Sequence, residues 1–321
     1  MGKNEFMKKY KFILLLLLLF TFLILFNPAL AVEGAKNGLL LWFQSLLPAL
    51  LPFMILSGIL VETEVFLPFC KWIHPIFERL FHISVEGCIA LFLGFFCGFP
   101  IGAHVTADLL RSRQISKPEA QHLLSICNNF SPVFLTGFVK AYATGIPVWN
   151  LLLVVYGAPL LFGLLTGKRR LPQTTHPNIG EKKDVKKTSD SIFSISMADA
   201  AIMRSFSAIT KLGGYLILFG IFAKMVTALK TVTILKAILL TLTEITTSIP
   251  YTATMISNTA LKELLLLSGL VFGGISGIAQ TKSMTADCAL SIRIYAADKL
   301  KIAGIAILLS LICMVIRNLP V

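Results

Sequence analysis

Apolar stretches long enough to cross a bilayer follow one another along this chain with little between them. They lie at 12–32, 38–60, 87–110, 119–140, 147–167, 205–228, 234–256, 262–287 and 299–317. About 20 apolar residues suffice for one helical crossing. A soluble globule cannot bury so many, and composition agrees: 56% of the 321 residues are hydrophobic and 14% charged, against roughly 25% charged in soluble domains. The 24 Phe exclude a disordered chain. The fold class is an all-α polytopic membrane protein, with the lipid bilayer as its first partner.

The net charge of +13 sits beside apolar segments. Lys3, Lys8, Lys9 and Lys11 precede the first of them, and Lys168, Arg169, Arg170 and four lysines follow 147–167. That placement orients a membrane protein. No basic face with aromatic or polar readers accompanies it, so nucleic acid is not an expected partner. The six cysteines form no CxxC and read as small buried hydrophobes. No HExxH, no GxxxxGK[ST] and no spaced Ser/His/Asp set occurs. No metal, cofactor or enzymatic activity is expected.

Residues 12–32 read as an uncleaved first helix, although Ala29-x-Ala31 is compatible with signal cleavage. The aromatic and charged alternation over 61–85 suits a helix lying in the interface. The polar run after Arg170 reads as a linker. The chain thus divides into an N-terminal helix (1–37), a first repeat (38–170), a cytoplasmic linker (171–204) and a second repeat (205–321). Each repeat runs intact span, interrupted segment, interrupted segment, intact span. With basic flanks held in the cytoplasm, 87–110 must enter and leave on one side, and the second repeat starts from the opposite side. An inverted structural repeat with a broken or re-entrant helix in each half follows, with nine plain spans as the alternative.

Broken backbone survives in hydrocarbon only where protein covers it or it lines a wet cavity. Breaks at corresponding positions of two halves therefore point to a substrate site. In the first half Gly98, Pro100 and Gly102 would unwind one segment, and Asn128, Asn129 and Ser131 before Pro132 another. The two amides serve either a ligand or the freed backbone. In the second half Glu244 is an acid deep in an apolar segment, with Thr246, Thr247 and Ser248 beside it. It would bind a coupling cation, carry a proton or touch substrate, or else pair with Lys211 or Lys140. Gly274, Ser276 and Gln280 mark the last interruption. Asp108 and Asp287, near segment ends, read as caps or solvated groups.

The ordered set Leu46–Phe53 (LLPALLPF), Gly98–Ala103 (GFPIGA), Asn128–Phe134 (NNFSPVF), Gly214-Tyr215, Glu244-Ile245-Thr246 and Gly273–Gln280 (GGISGIAQ) resembles the sporulation integral membrane proteins of the YlbJ (SpoVV) type. The resemblance covers roughly 38–316. It implies a nucleoside-recognition gate domain, a multi-pass place in the outer forespore membrane, and movement of dipicolinic acid towards the forespore. Nucleoside-type transport, or a scaffold that transports nothing, is the alternative. Partners would be a small anionic substrate, and a second copy or other sporulation membrane proteins. Dipicolinate is a planar dianion and calls for donors, so the breaks of both halves are expected to line one cavity, with Phe99 or Phe130 available to stack on the ring.

Overall fold

The computed structural model describes residues 3–63, 65–171 and 194–318. Every regular element among the described residues is helical. The chain is an all-α polytopic membrane protein. Five helices among those residues are long and apolar enough to cross a bilayer, and six if one bent pair counts as a single span.

α1 (Lys3–Phe26) ends at Asn27, and Pro28 opens α2 (Pro28–Thr63), where its missing N–H costs nothing. The expected gap at 33–37 does not exist. Glu33 pairs with Lys224 across the interface, while Gly34 and Gly38 pack on the backbone of Gly220 and Leu216, so this polar stretch stays helical. α2 has 36 residues, about 54 Å at 1.5 Å per residue, well beyond the hydrocarbon thickness of roughly 30 Å. Pro48 and Pro52 each remove a donor, and α2 accommodates them with a π-helical stretch at Leu41–Leu46 instead of ending.

The segment read as interfacial forms α3 (Leu67–Phe81), which meets α4 (Val85–Phe96) at 89°. Its Trp72 and Ile76 are exposed. The corner is fixed by the Glu119 carboxylate, which accepts from the Ser84 amide and hydroxyl, each at 2.6 Å. α5 (Ile101–Arg111) folds back on α4 across residues 97–100. α6 (Lys117–Cys127) and α7 (132–142) are divided by 128–131, and α8 (Val148–Arg170) is intact.

Beyond the residues not described, α9 (Ile195–Ala228) begins inside what the sequence reads as linker. Most of that stretch, 172–193, lies outside the described residues, as do the extreme C-terminal residues 319–321. α10 (Thr233–Thr243) and α11 (Ile245–Met255) meet at Glu244. α12 (Thr259–Phe272) and α13 (Gly274–Met284) meet at Gly273. α14 (Ile292–Asn318) starts a turn and a half or more before the expected 299, because Tyr295 and Asp298 are buried against other helices and extend it.

Corresponding long helices run antiparallel. Along α2 and α9, Gly34 meets Gly220, Trp42 Nε1 donates to the Ile209 carbonyl at 2.8 Å, Gly58 faces Ala201, and Glu62 pairs with Arg204. Along α8 and α14, Gly157 faces Leu309 and Arg170 pairs with Asp298, while Asn150 and Arg317 meet through Glu263. The core lies between these pairs and contains the broken helices.

Candidate functional site

The four breaks touch one another. At 97–100, Gly98 takes φ +82°, a left-handed conformation that L side chains disfavour, and the Phe99–Pro100 bond is cis. A Cβ on Gly98 would lie 2.4 Å from the Ser131 amide nitrogen, so the first break rests directly on the second. Gly102 likewise lies against the Cys127 carbonyl. In the second half, Gly273 and Gly274 have φ of +79° and +72°, and Gly274 faces the Thr243 carbonyl beside Glu244. Phe99 reaches across to Gly277.

Asn128 joins the halves and repairs a break at once. Its Oδ1 accepts from the Ala103 amide at 3.2 Å, which serves the exposed N-terminus of α5. Its Nδ2 donates to Thr281 Oγ1 at 3.0 Å and to Tyr295 Oη at 3.1 Å. Asn129 donates to the Ile126 carbonyl at 2.6 Å. Ser131 caps α7, accepting from the Phe134 amide.

Glu244 caps α11. Its carboxylate accepts from the Thr247 amide at 2.7 Å, the Thr246 amide at 3.2 Å and the Thr246 hydroxyl at 2.7 Å. A carboxylate at a helix N-terminus is stabilised by those donors and by the dipole. The pairing with Lys140 or Lys211 does not form among the described residues. Lys140 instead donates to the carbonyls of Thr144 and Ile146. Ser248 bonds to Thr241 and Thr252, and Gln280 donates to Ser276 at 2.8 Å.

Neither of two cavities at the crossing is shared by all these groups. Two separate cavities flank the crossing. The larger, about 280 Å³, lies between α2, α9 and α11 and is lined by Glu244, Thr246, Thr247, Asn37 and Lys224. The smaller, about 10 Å³, is lined by Phe99, Asn128, Phe130, Gly273, Tyr295 and Lys299. It is the size of about one water. Gly98, Pro100, Gly102, Asn129, Ser131, Ser248, Gly274, Ser276 and Gln280 line neither. The reason is local: these residues are spent on caps and on close backbone contacts, which fill the space the breaks would otherwise open.

The sequence reading also missed a residue. Lys299, near the start of the last apolar stretch, is 3% exposed. Its Nζ donates to the Asn128 carbonyl at 2.8 Å and to Asn129 Oδ1 at 3.1 Å, and lies 5.8 Å from the Tyr295 ring centre. The available signal was Tyr295 and Lys299 at i, i+4 on one helix face, visible once α14 is started at Ile292.

Asp108 and Asp287 do more than cap. Arg111 bonds Asp108 at 2.6 Å and Asp287 at 2.7 and 2.8 Å, and donates to the Met284 carbonyl, tying α5 to the end of α13. The Arg111 guanidinium holds the Asp287 carboxyl below its usual range.

Comparison with known proteins gives one informative match. Over 240 residues the chain is 27% identical to the sporulation integral membrane protein YlbJ of Bacillus subtilis (strain 168), covering 68% of this chain and 57% of that protein. The chain is a homologue of that protein. The match supports the family assigned from the motifs, and the chain spans little more than half the length of YlbJ. No family model matches. No solved structure matches either.

Proposed function

We propose that this protein is a secondary transporter or facilitator of a small organic anion, with dipicolinic acid as the expected solute, working in the outer forespore membrane during sporulation. One observation carries the reading: broken helices from both halves of a membrane protein meet in its interior. Such breaks are costly in lipid, and where they recur at corresponding positions of two halves they mark a binding site. The order of elements and the antiparallel long helices are what two inverted gate-like repeats require. Glu244 is the coupling group in this reading, because its carboxylate faces the larger cavity and carries no counter-ion pair among the described residues. The crossing is closed, so transport requires the breaks to separate and one side to open.

A tightly packed crossing also suits a membrane protein that only scaffolds partners, and one experiment separates the two. Labelled dipicolinate uptake into proteoliposomes is expected to exceed that into empty vesicles and to respond to a pH or sodium gradient. Absence of uptake under every gradient would leave the scaffold.

A further inference from the structure

Lys299 is a buried cation without an anion. Among the described residues it makes no ion pair, and the adjacent Asp298 is taken by Arg170. An ammonium in the interior of a membrane protein is costly unless something negative answers it. Its present partners are only a carbonyl and an amide oxygen of the α6–α7 break. On the same small cavity lies the N-terminus of α13, which has 11 residues and no side-chain cap. Phe99 and Phe130, with ring centres 5.7 Å apart, complete the lining. A cation, uncapped helix amides and two aromatic rings make up the chemistry that recognises an aromatic carboxylate.

We propose that Lys299 is the anchor for a carboxylate of the transported anion. This inference rests on the anion-transport reading. With the site empty, Lys299 holds the α6–α7 break shut by bonding Asn128 and Asn129. A carboxylate entering between Phe99 and Gly273 takes those donors for itself, and the break is released from α14. Ligand binding and closure of the crossing then compete for one ammonium. A lysine suits the task, since its three donors swing on a flexible stem from one set of acceptors to another. The site takes a planar carboxylate and rejects its uncharged isostere.

The test compares dipicolinate with its neutral diamide, pyridine-2,6-dicarboxamide, on purified full-length protein. Binding is read calorimetrically and transport in proteoliposomes. Wild-type protein should prefer the dianion. Lys299→Met should weaken dipicolinate binding roughly 10- to 100-fold, as expected for a charged hydrogen bond, and abolish the preference, whereas Lys299→Arg should keep it. A folded Lys299→Met protein that binds dipicolinate as the wild type does would overturn the inference and leave the transport reading standing. If the wild type neither binds nor moves dipicolinate, both fall together. If Lys299→Met does not fold, Lys299→Gln decides: it keeps an amide donor without the charge and should lose the preference for dipicolinate over the diamide. A folded Lys299→Gln protein that keeps the wild-type preference overturns the anchor.

Discussion

Glu244 has a capping duty and a charge, and two substitutions separate them. Glu244→Gln keeps one oxygen acceptor, for the Thr247 amide and the Thr246 hydroxyl, but removes the charge, so protein should remain folded in the membrane while gradient-driven uptake falls. Glu244→Ala removes the cap as well, and should cost about 1 kcal/mol of stability on top, seen as an earlier thermal unfolding in detergent. Uptake unchanged in the Gln variant would confine Glu244 to its cap. Gly98 tests the crossing itself. At φ +82°, with a Cβ that would meet Ser131, Gly98→Ala should lose at least roughly 1–2 kcal/mol from the left-handed backbone alone. Gly137 has nothing within 4 Å of a Cβ, so Gly137→Ala should unfold like the wild type. Equal melting of the two variants would mean that the first two breaks do not bear on each other.

Helix α14 is held to α8 and α6 through one carboxylate. Asp298, 1% exposed, accepts from Arg170 at 2.6 and 2.8 Å and from Ser125 at 2.8 Å. Arg170→Ala strands that charge and should destabilise by about 3–5 kcal/mol, while the paired change Arg170→Met with Asp298→Leu should recover most of the loss. Thermal unfolding of the two variants checks this; equal destabilisation would assign the effect to packing. The same helix shows what the sequence could and could not reveal. The breaks at 97–100, 128–131, 244 and 273–274 were legible because Gly, Pro, Asn and Glu stand out in apolar stretches, and local backbone chemistry alone places them. Helix ends were less legible. Polar residues at 33–37 and 292–298 look like loop in isolation, and stay helical because Lys224, Ser125 and Arg170 on distant helices satisfy them. Lys299 was hidden for the same reason: its partners are 170 and 171 positions away. Its carbonyl acceptor exists only because the α6–α7 break frees one.

The molecule has two ends, and each is fixed by contacts within and between the halves. At one end Glu62 meets Arg204, Gln114 reaches the Val61 carbonyl, Arg111 holds Asp287, and Gln121 pairs with Ser291. At the other, Glu33 meets Lys224, Lys140 folds onto Ile146, and Glu263 joins Asn150 to Arg317. The Arg111–Asp287 link closes the crossing towards the first end. Because Arg111 holds the Asp287 carboxyl low, the link is present at neutral pH and is lost as pH falls through that depressed value. Asp287→Ala should therefore speed maleimide labelling of Cys127, which is fully buried beside Asn128, and an unchanged rate would remove the latch.

The ends also predict the orientation of the whole chain. α8 has 23 residues, about 34 Å, and thus crosses the hydrocarbon once. Lys168, Arg169 and Arg170 close it at the first end, which positive-inside bias assigns to the cytoplasm. Arg113 sits on that end, next to Arg111, whereas Ser257 lies in the turn between α11 and α12, close in sequence to Glu263 at the opposite end. Two inverted repeats put these loops on opposite faces, and nine plain spans put them wherever simple counting falls. Nine full crossings counted from a cytoplasmic N-terminus put both loops outside, Arg113 after three crossings and Ser257 after seven. Arg113→Cys and Ser257→Cys should then be labelled by an impermeant thiol reagent from opposite sides, Arg113 only after the vesicles are opened or inverted. Labelling of both from one side would break the repeat. The meeting of the four breaks would then be a packing feature of a single bundle.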